Sequence, residues 1–451
     1  MAITRRRTIF SPLPPELFEQ VVELTSGSWD RRHVVCMLRL TCHDLRIKSL
    51  DFFGRNYFRT VEVTFFETDL KRLLSISAHP ELRCYVKEIK LGPHRLPDAP
   101  QIQAHYDFLQ RKPQSRETVM FRSDVVKAAV LDQLRGVVRL EDYLSIDHRH
   151  IETAMHYTNL LDEQEEMECS GSDVRTLAKA LASLPNLKAA TLTDSFIFAR
   201  QDDLCDELGI TSLCMALYGE CITNATTPAS RAFSKLLSAI SLAQTKAPAM
   251  RIERLSARFA DYEPASCLFS MQLGRVQMPS LTGPLLQSLQ ALKKVDLKVC
   301  PQRNLKETDV VNANLLLQCL FSGGQIEEFW IDFQPAGDSG LFADELSTTH
   351  FSHLAALPVS RRLRKFTLFG GKPHTKDLAT FLLKHAGSLE KVNIGEQQLA
   401  GGNWPEIGHA LSACNALVGL RLWKGDRLKT YRGRDKVVAV VQELCHGEGR
   451  I

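Results

Sequence analysis

The sequence predicts an α/β fold: a curved solenoid of repeated units, with parallel strands inside and helices outside, preceded by a small all-α unit. Three observations predict it. An apolar template, L-x-x-L-x-L with any apolar residue at the fixed positions, recurs along the chain. Most copies follow a segment with helical apolar spacing and a turn. The first fifty or so residues instead carry two apolar helical patterns and no copy of the template.

The copies are "FRTVEV" at 58–63, "VKEIKL" at 86–91, "LKAATL" at 187–192, "IERLSA" at 252–257, "LKKVDL" at 292–297, "IEEFWI" at 326–331, "LRKFTL" at 363–368, "LEKVNI" at 389–394 and "LVGLRL" at 417–422. The preceding helical segments include "DLKRLLSISAHPEL", "VRTLAKALASLPNL", "LLQCLFSGGQ", "DLATFLLKHAGSL" and "EIGHALSACNAL". In "DLATFLLKHAGSLEKVNI", Leu378, Phe381, Leu382 and His385 share one helical face, and Gly387 is expected to stop the helix. The apolar period then falls from 3.6 to 2, with Val392 and Ile394 on the same side. Strands separated by helices must run parallel, because no hairpin can join them.

This alternation resembles leucine-rich repeats of a degenerate, long-repeat kind. That family places Asn or Cys eight residues after the first template position; Cys300 fits, and His94, Ser195, Ala260, Gln334, Gly371, Gln397 and Gly425 depart from it. The solenoid is expected over 55–451, with insertions at about 97–176 and 200–248 that cap or decorate its binding surface. Within the first, "RLPDAPQIQAHYDFLQRKPQSRE" reads as a loop, about 124–140 as a helix, and the acidic "LDEQEEMECSGSD" as a solvated projection.

Residues 1–10 read as a basic tail, and 11–54 as the helical unit. In "SPLPPELFEQVVEL", Ser11 suits a helix cap and Pro14 and Pro15 a first turn, while Leu17, Val21 and Leu24 form a stripe. The polar "TSGSWDRRH" reads as a loop, followed by one helix through "VVCMLRLTCHDLRIKSLDFF". That helix has two apolar faces, Leu38, Cys42 and Leu45 on one and Leu40 and Ile47 on the other. Two short helices cannot bury so much apolar surface by themselves.

The pair "LPPEL…VVEL" and "LRLTCHDLR" is similar to the F-box. Thr41 stands where that family has Val, and Phe52 and Phe53 are the candidates to replace its closing Trp. Leu13, Pro14, Glu16, Leu17, Val21, Leu24, Leu38, Leu40, Cys42 and Leu45 match the family's positions, so the resemblance implies that they contact a Skp-family adaptor. An F-box ahead of leucine-rich repeats is a common architecture, and the combination looks like the F-box repeat proteins of filamentous fungi.

A net charge of +4, spread over the chain, argues against nucleic acid or an anionic membrane as partner. The 12 cysteines are scattered without any C-x-x-C pair, so zinc ribbons and dithiol redox sites are not expected. The start lacks a secretory signal and no apolar run could span a membrane, which points to cytoplasm or nucleus; Arg5, Arg6 and Arg7 read as a solvated tail or part of an import signal.

Catalytic and metal motifs are absent from the sequence. "FGGKPHT" at 369–375 lacks the full phosphate loop and reads as a turn, and His148, His150 and His156 have no nearby Cys, so no metal, cofactor or catalytic residue is expected. The residues alternating with the strand template are expected on the concave, solvent side. Asp296, Trp330, Asp332, Phe369, Asn393, Arg421 and Trp423 are the candidate target-binding residues there, unless an insertion or the C-terminal "RDKVVAVVQELC" helix covers them.

By resemblance, the chain is expected to be the substrate-recognition subunit of a Skp–cullin–F-box ubiquitin ligase. It would dock the adaptor and its cullin scaffold through the F-box and a target protein through the repeats. The alternative is a repeat scaffold outside any ligase, with the first helices capping the first repeat.

Overall fold

The computed structural model describes residues 14–25, 28–96, 98, 102, 128, 130–131, 148–193, 228–259, 275–279, 282–299, 307–333, 355–370, 373–395, 404–424 and 427–446. Four helices come first: α1 Pro15–Thr25, α2 Ser28–Thr41, α3 His43–Lys48 and α4 Leu50–Tyr57. Val22, Val35, Leu45 and Phe52 form their core, flanked by Leu38, Cys42, Phe53 and Tyr57. The residues read as a polar loop, "TSGSWDRRH", are helical from Ser28 onward. The single helix expected after them is three, because Cys42 adopts extended backbone (φ −159°, ψ 162°) ahead of α3.

Nine parallel strands follow in strict order: β1 Thr60–Val63, β2 Glu88–Leu91, β3 Ala189–Thr193, β4 Arg254–Arg258, β5 Lys294–Val299, β6 Glu328–Phe333, β7 Lys365–Gly370, β8 Lys391–Gly395 and β9 Gly419–Lys424. Each falls on one copy of the sequence template. A tenth, β10 Arg427–Arg432, pairs antiparallel with β9 and had not been foreseen. One bond pattern repeats at every step. The two N–H groups where a strand begins donate to a carbonyl of the preceding unit: Lys87 and Glu88 to Arg59, then Lys188 and Ala189 to Lys87, and so on to Val418 and Gly419 on Glu390. The shared bond keeps all nine strands in one register.

The helices between strands pack on one another in sequence along one side of the sheet. They are α5 Glu67–Ala78, α6 His148–Ser170, α7 Ser172–Ala182, α8 Pro228–Lys246, α9 Thr282–Leu289, α10 Glu307–Phe321, α11 Thr375–Lys384, α12 Trp404–Ser412 and α13 Arg434–Cys445. A single core runs between helices and sheet, from Val61 to Leu444. At its aromatic centre Phe329 lies 5.0 Å from Phe321 and 6.0 Å from Phe366, and Phe381 lies 4.7 Å from Phe366. Each such fully buried ring contributes on the order of 2–3 kcal/mol. The arrangement is α/β with a ten-stranded, mostly parallel sheet, compatible with a solenoid of stacked helix–strand units.

Several expectations change here. α11 ends at Lys384, before Gly387; the buried His385 caps it, with its Nδ1 2.9 Å from the Phe381 carbonyl oxygen. The acidic stretch at 161–173 is not a projection. It is helical in α6 and α7, and its Glu168 and Asp173 carboxylates reach Lys235 of α8 at 3.3 and 2.8 Å. Residues 228–246 are not a decoration either: Phe233, Leu236, Leu237 and Ile240 of α8 are fully buried between α7 and α9. The loop expected from Arg95, and the positions compared with the repeat family's Asn or Cys other than His94, lie largely or wholly outside the described residues. Of the helix expected at about 124–140, residues 128, 130 and 131 are described and are helical.

Gly370 closes β7 with φ +59°, and a Cβ there would stand 1.9 Å from the Phe333 carbonyl oxygen, so neighbouring strand ends meet closely only over glycine. No helix among the described residues is long and apolar enough to cross a membrane.

Candidate protein-interaction site

The helical unit sorts its apolar residues into two sets. Leu45 is buried, and Leu38 and Cys42 pack against its core, so these three are structural rather than presented to a partner. Leu24 is 86% exposed, Leu40 81% exposed, and Leu17, Met37 and Ile47 are also exposed. Pro14 and Glu16 lie open to solvent at the start of α1. Leu13 and the side chain of Val21 lie outside the described residues. Met37 escaped notice because it lies off the stripes counted in α2; Ile47 was on the second apolar face but not taken as a site residue.

The unit is held as one piece. Arg55 of α4 pairs with Glu19 of α1 at 2.6 Å, and the Arg39 guanidinium sits 4.2 Å above the Phe53 ring. Thr41 ends α2 with its hydroxyl donating to the Met37 carbonyl at 2.9 Å, which suits the helix end at Cys42.

The second surface is the sheet face opposite the helices. Its middle row runs, in register, Glu62, Lys90, Thr191, Ser256, Asp296, Trp330, Thr367, Asn393 and Arg421. Trp330, Asp332, Phe369, Asn393 and Arg421 are half-buried on this face, whereas Asp296 is only 3% exposed. Asp296 was expected in solvent; instead Arg258, one strand away, reaches across and pairs with its carboxylate. Burial pushes the Asp296 carboxyl up, and Arg258 opposes that shift. Trp423 pairs with Gly395 and Leu428, and its side chain lies outside the described residues.

An aromatic patch sits at the centre of this face. Trp330 lies 5.7 Å from Phe369, and the Arg258 guanidinium stands 4.9 Å over the Trp330 ring. The indole N–H of Trp330 is buried without a hydrogen-bond partner among the described residues. Asn393 donates to the Thr367 hydroxyl at 2.9 Å and is thereby fixed beside Phe369. Arg258 was missed because the alternation was followed only from β5 onward; extended to β4 it selects Arg254, Ser256 and Arg258. The C-terminal helix α13 does not cover this face, since Val437, Val441 and Leu444 bury it in the core behind the sheet.

Charges on the open face are paired along most of its length. Lys90 meets Glu62 at 3.7 Å, Arg254 meets Glu88 at 2.6 Å, and Lys294 meets Glu328 at 2.7 Å. Lys298 donates to the Phe259 carbonyl at 2.7 Å, and Lys365 stands 3.9 Å from Glu328. Burial raises the Glu328 carboxyl, but Lys294, Lys365 and Lys391 outweigh it and leave the group below its ordinary value. Among the described residues no group of three or more His, Cys, Asp or Glu side chains is arranged to hold a metal ion. The described geometry therefore suits recognition of a macromolecule over a broad surface.

A scan against protein-family models finds no matching family, and a search of curated proteins finds no matching relative.

Proposed function

We propose that this chain is the substrate-recognition subunit of a Skp–cullin–F-box ubiquitin ligase, acting in the cytoplasm or nucleus. In this reading α1–α4 are an F-box that docks a Skp-family adaptor, and the leucine-rich-repeat-like array holds a target protein on its open face. Ubiquitin then reaches the target by proximity to a charged conjugating enzyme, so the chain supplies no catalytic residue. One observation carries the reading. A small helical unit with its own core leaves Leu24 and Leu40 more than four-fifths exposed, beside Leu17, Met37 and Ile47. Apolar side chains gathered in this way mark an interface.

The second reading is a repeat scaffold outside any ligase, with α1–α4 as a cap on the first repeat. The contact of Gly54 with the Tyr85 ring favours it, because a cap would pack on the array in that manner. Co-purification with a Skp-type adaptor separates the two. The ligase reading expects the intact chain to retain the adaptor and Leu24→Ala with Leu40→Ala to lose it at an unchanged melting temperature. Leu45→Ala serves as the folding control, with an expected cost of about 2–5 kcal/mol. A folded wild-type chain that never retains the adaptor sinks the ligase reading.

A further inference from the structure

The pairing of charges on the open face stops at its C-terminal end. Lys391, Arg421 and Arg432 line one cleft with Lys365, Glu328, Asn393, Thr430 and Tyr431. Lys391 and Arg432 are exposed and Arg421 is half-buried. None of these three has a carboxylate within ion-pair distance among the described residues, whereas every open-face cation described from β2 to β7 has a partner.

The register makes the surplus directional. Lys365 lies directly opposite Lys391, and Lys391 and Arg432 lie opposite Gly419 from its two sides. A Cβ on Gly419 would stand 3.2 Å from Lys391 Cγ, so the lysine stem leans across the glycine toward the strand that carries Arg432. Arg421, two residues along β9, projects to the same face, and Thr430 opposite it adds a hydroxyl. Like charges placed opposite one another are unfavourable in a sheet. Their convergence over a residue without a side chain is the arrangement that an anion stabilises.

Three cations around one point exceed what a single carboxylate neutralises. A phosphate monoester, with a charge near −2 and three acceptor oxygens, matches them better. Nucleic acid fits less well, because Glu328 borders the cleft and the other open-face cations are already paired. Trp330 and Phe369, two strands from β8 and one strand from it respectively, supply an apolar surface for flanking side chains.

We propose that the cleft over β7–β10 recognises a phosphorylated peptide segment of the target, with Lys391, Arg421 and Arg432 holding the phosphate. The inference rests on the reading that the open face is where the target binds. The test is fluorescence anisotropy on the full chain, with a labelled degenerate peptide pool carrying one fixed phosphoserine. The comparison probes are the same pool unphosphorylated, the pool with Asp in place of phosphoserine, and a single-stranded oligonucleotide.

The phosphoserine pool is expected to bind about ten-fold or more tighter than either peptide control, and Arg421→Ala or Arg432→Ala to remove about that factor. Gly419→Leu, which displaces Lys391 without changing charge, is expected to weaken binding likewise, while Lys188→Ala outside the cleft leaves it unchanged. Equal binding of phosphoserine and Asp pools overturns the proposal, as does tighter binding of the oligonucleotide. Wild-type affinity in folded Arg421 and Arg432 variants, with melting temperature as the check on folding, overturns it too. The adaptor assay is independent: a chain that retains the adaptor but ignores phosphoserine loses only this inference, and Leu24→Ala with Leu40→Ala keeps phosphopeptide binding.

Discussion

The ring of Tyr85 lies against Gly54 so closely that a Cβ at position 54 would stand 2.3 Å from Tyr85 Cδ2. Gly54 belongs to the last helix of the N-terminal unit, and Tyr85 follows the 3-10 turn Leu82–Cys84 that leads into β2. The contact therefore fastens the helical unit to the repeat array. Burial, with a hydrogen bond to Asp51, holds the Tyr85 hydroxyl above its ordinary pKa. In the proposed ligase, such a fixed joint holds the target at a constant distance from the adaptor.

Gly54→Val is expected to force the Tyr85 ring aside and cost about 1–3 kcal/mol in chemical denaturation of the full chain. Adding Tyr85→Ala removes the clash, so the double variant is expected to be more stable than the two single losses summed. Strict additivity would show that the two residues do not share the joint.

The Arg258–Asp296 pair leads to a second expectation. Arg258→Ala strands a carboxylate that is 3% exposed, and a stability loss of about 2 kcal/mol or more is expected. Asp296→Asn in the same chain removes the stranded charge and is expected to restore most of that loss. Denaturant midpoints of the four combinations measure it; a neutral Arg258→Ala would mean that the carboxylate stays hydrated.

Acid sensitivity provides a third. His94 is fully buried, and burial brings its pKa down to about 3. Burial also lowers His385, whose Nε2 accepts the Ser360 backbone N–H at 3.2 Å. In both cases the unfolded chain binds the proton more tightly than the folded one. Their contribution is therefore present above the unfolded pKa near 6.5 and is lost as pH falls from there toward the folded value. By pH 5, His94 alone is expected to cost on the order of 2 kcal/mol. His94→Gln, measured against wild type at pH 7 and pH 5, is expected to remove that part of the pH dependence. An unchanged difference between the two pH values would place the titration elsewhere.

The strands were legible because their signal is local. Val392 and Ile394, or Phe329 and Ile331, alternate within one short segment, and the helical stripe before each strand lies within one further segment. Nine strands and their parallel direction follow from those two periods and from connections too long for hairpins. The hairpin strand β10 was missed although "RLKTYR" alternates, because no helix precedes it and the template does not reach it. The break at Cys42 was missed because the apolar spacing runs through it unbroken; only the backbone there turns extended.

Which stripe faces inward was decided by packing. Leu38 and Leu40 are two residues apart in one helix and equally apolar, yet Leu38 joins the core while Leu40 stands in solvent. Only the positions of Val22, Val35, Leu45 and Phe52 distinguish them. The same holds for charge: alternation puts Asp296 on the open face, but it is Arg258, reaching over from the next strand, that closes it off. The period of the chain determines where strands and helices form, because it depends on neighbours in sequence. Burial, pairing and the surplus of positive charge at Lys391, Arg421 and Arg432 depend on neighbours in space, and only the folded sheet brings those together.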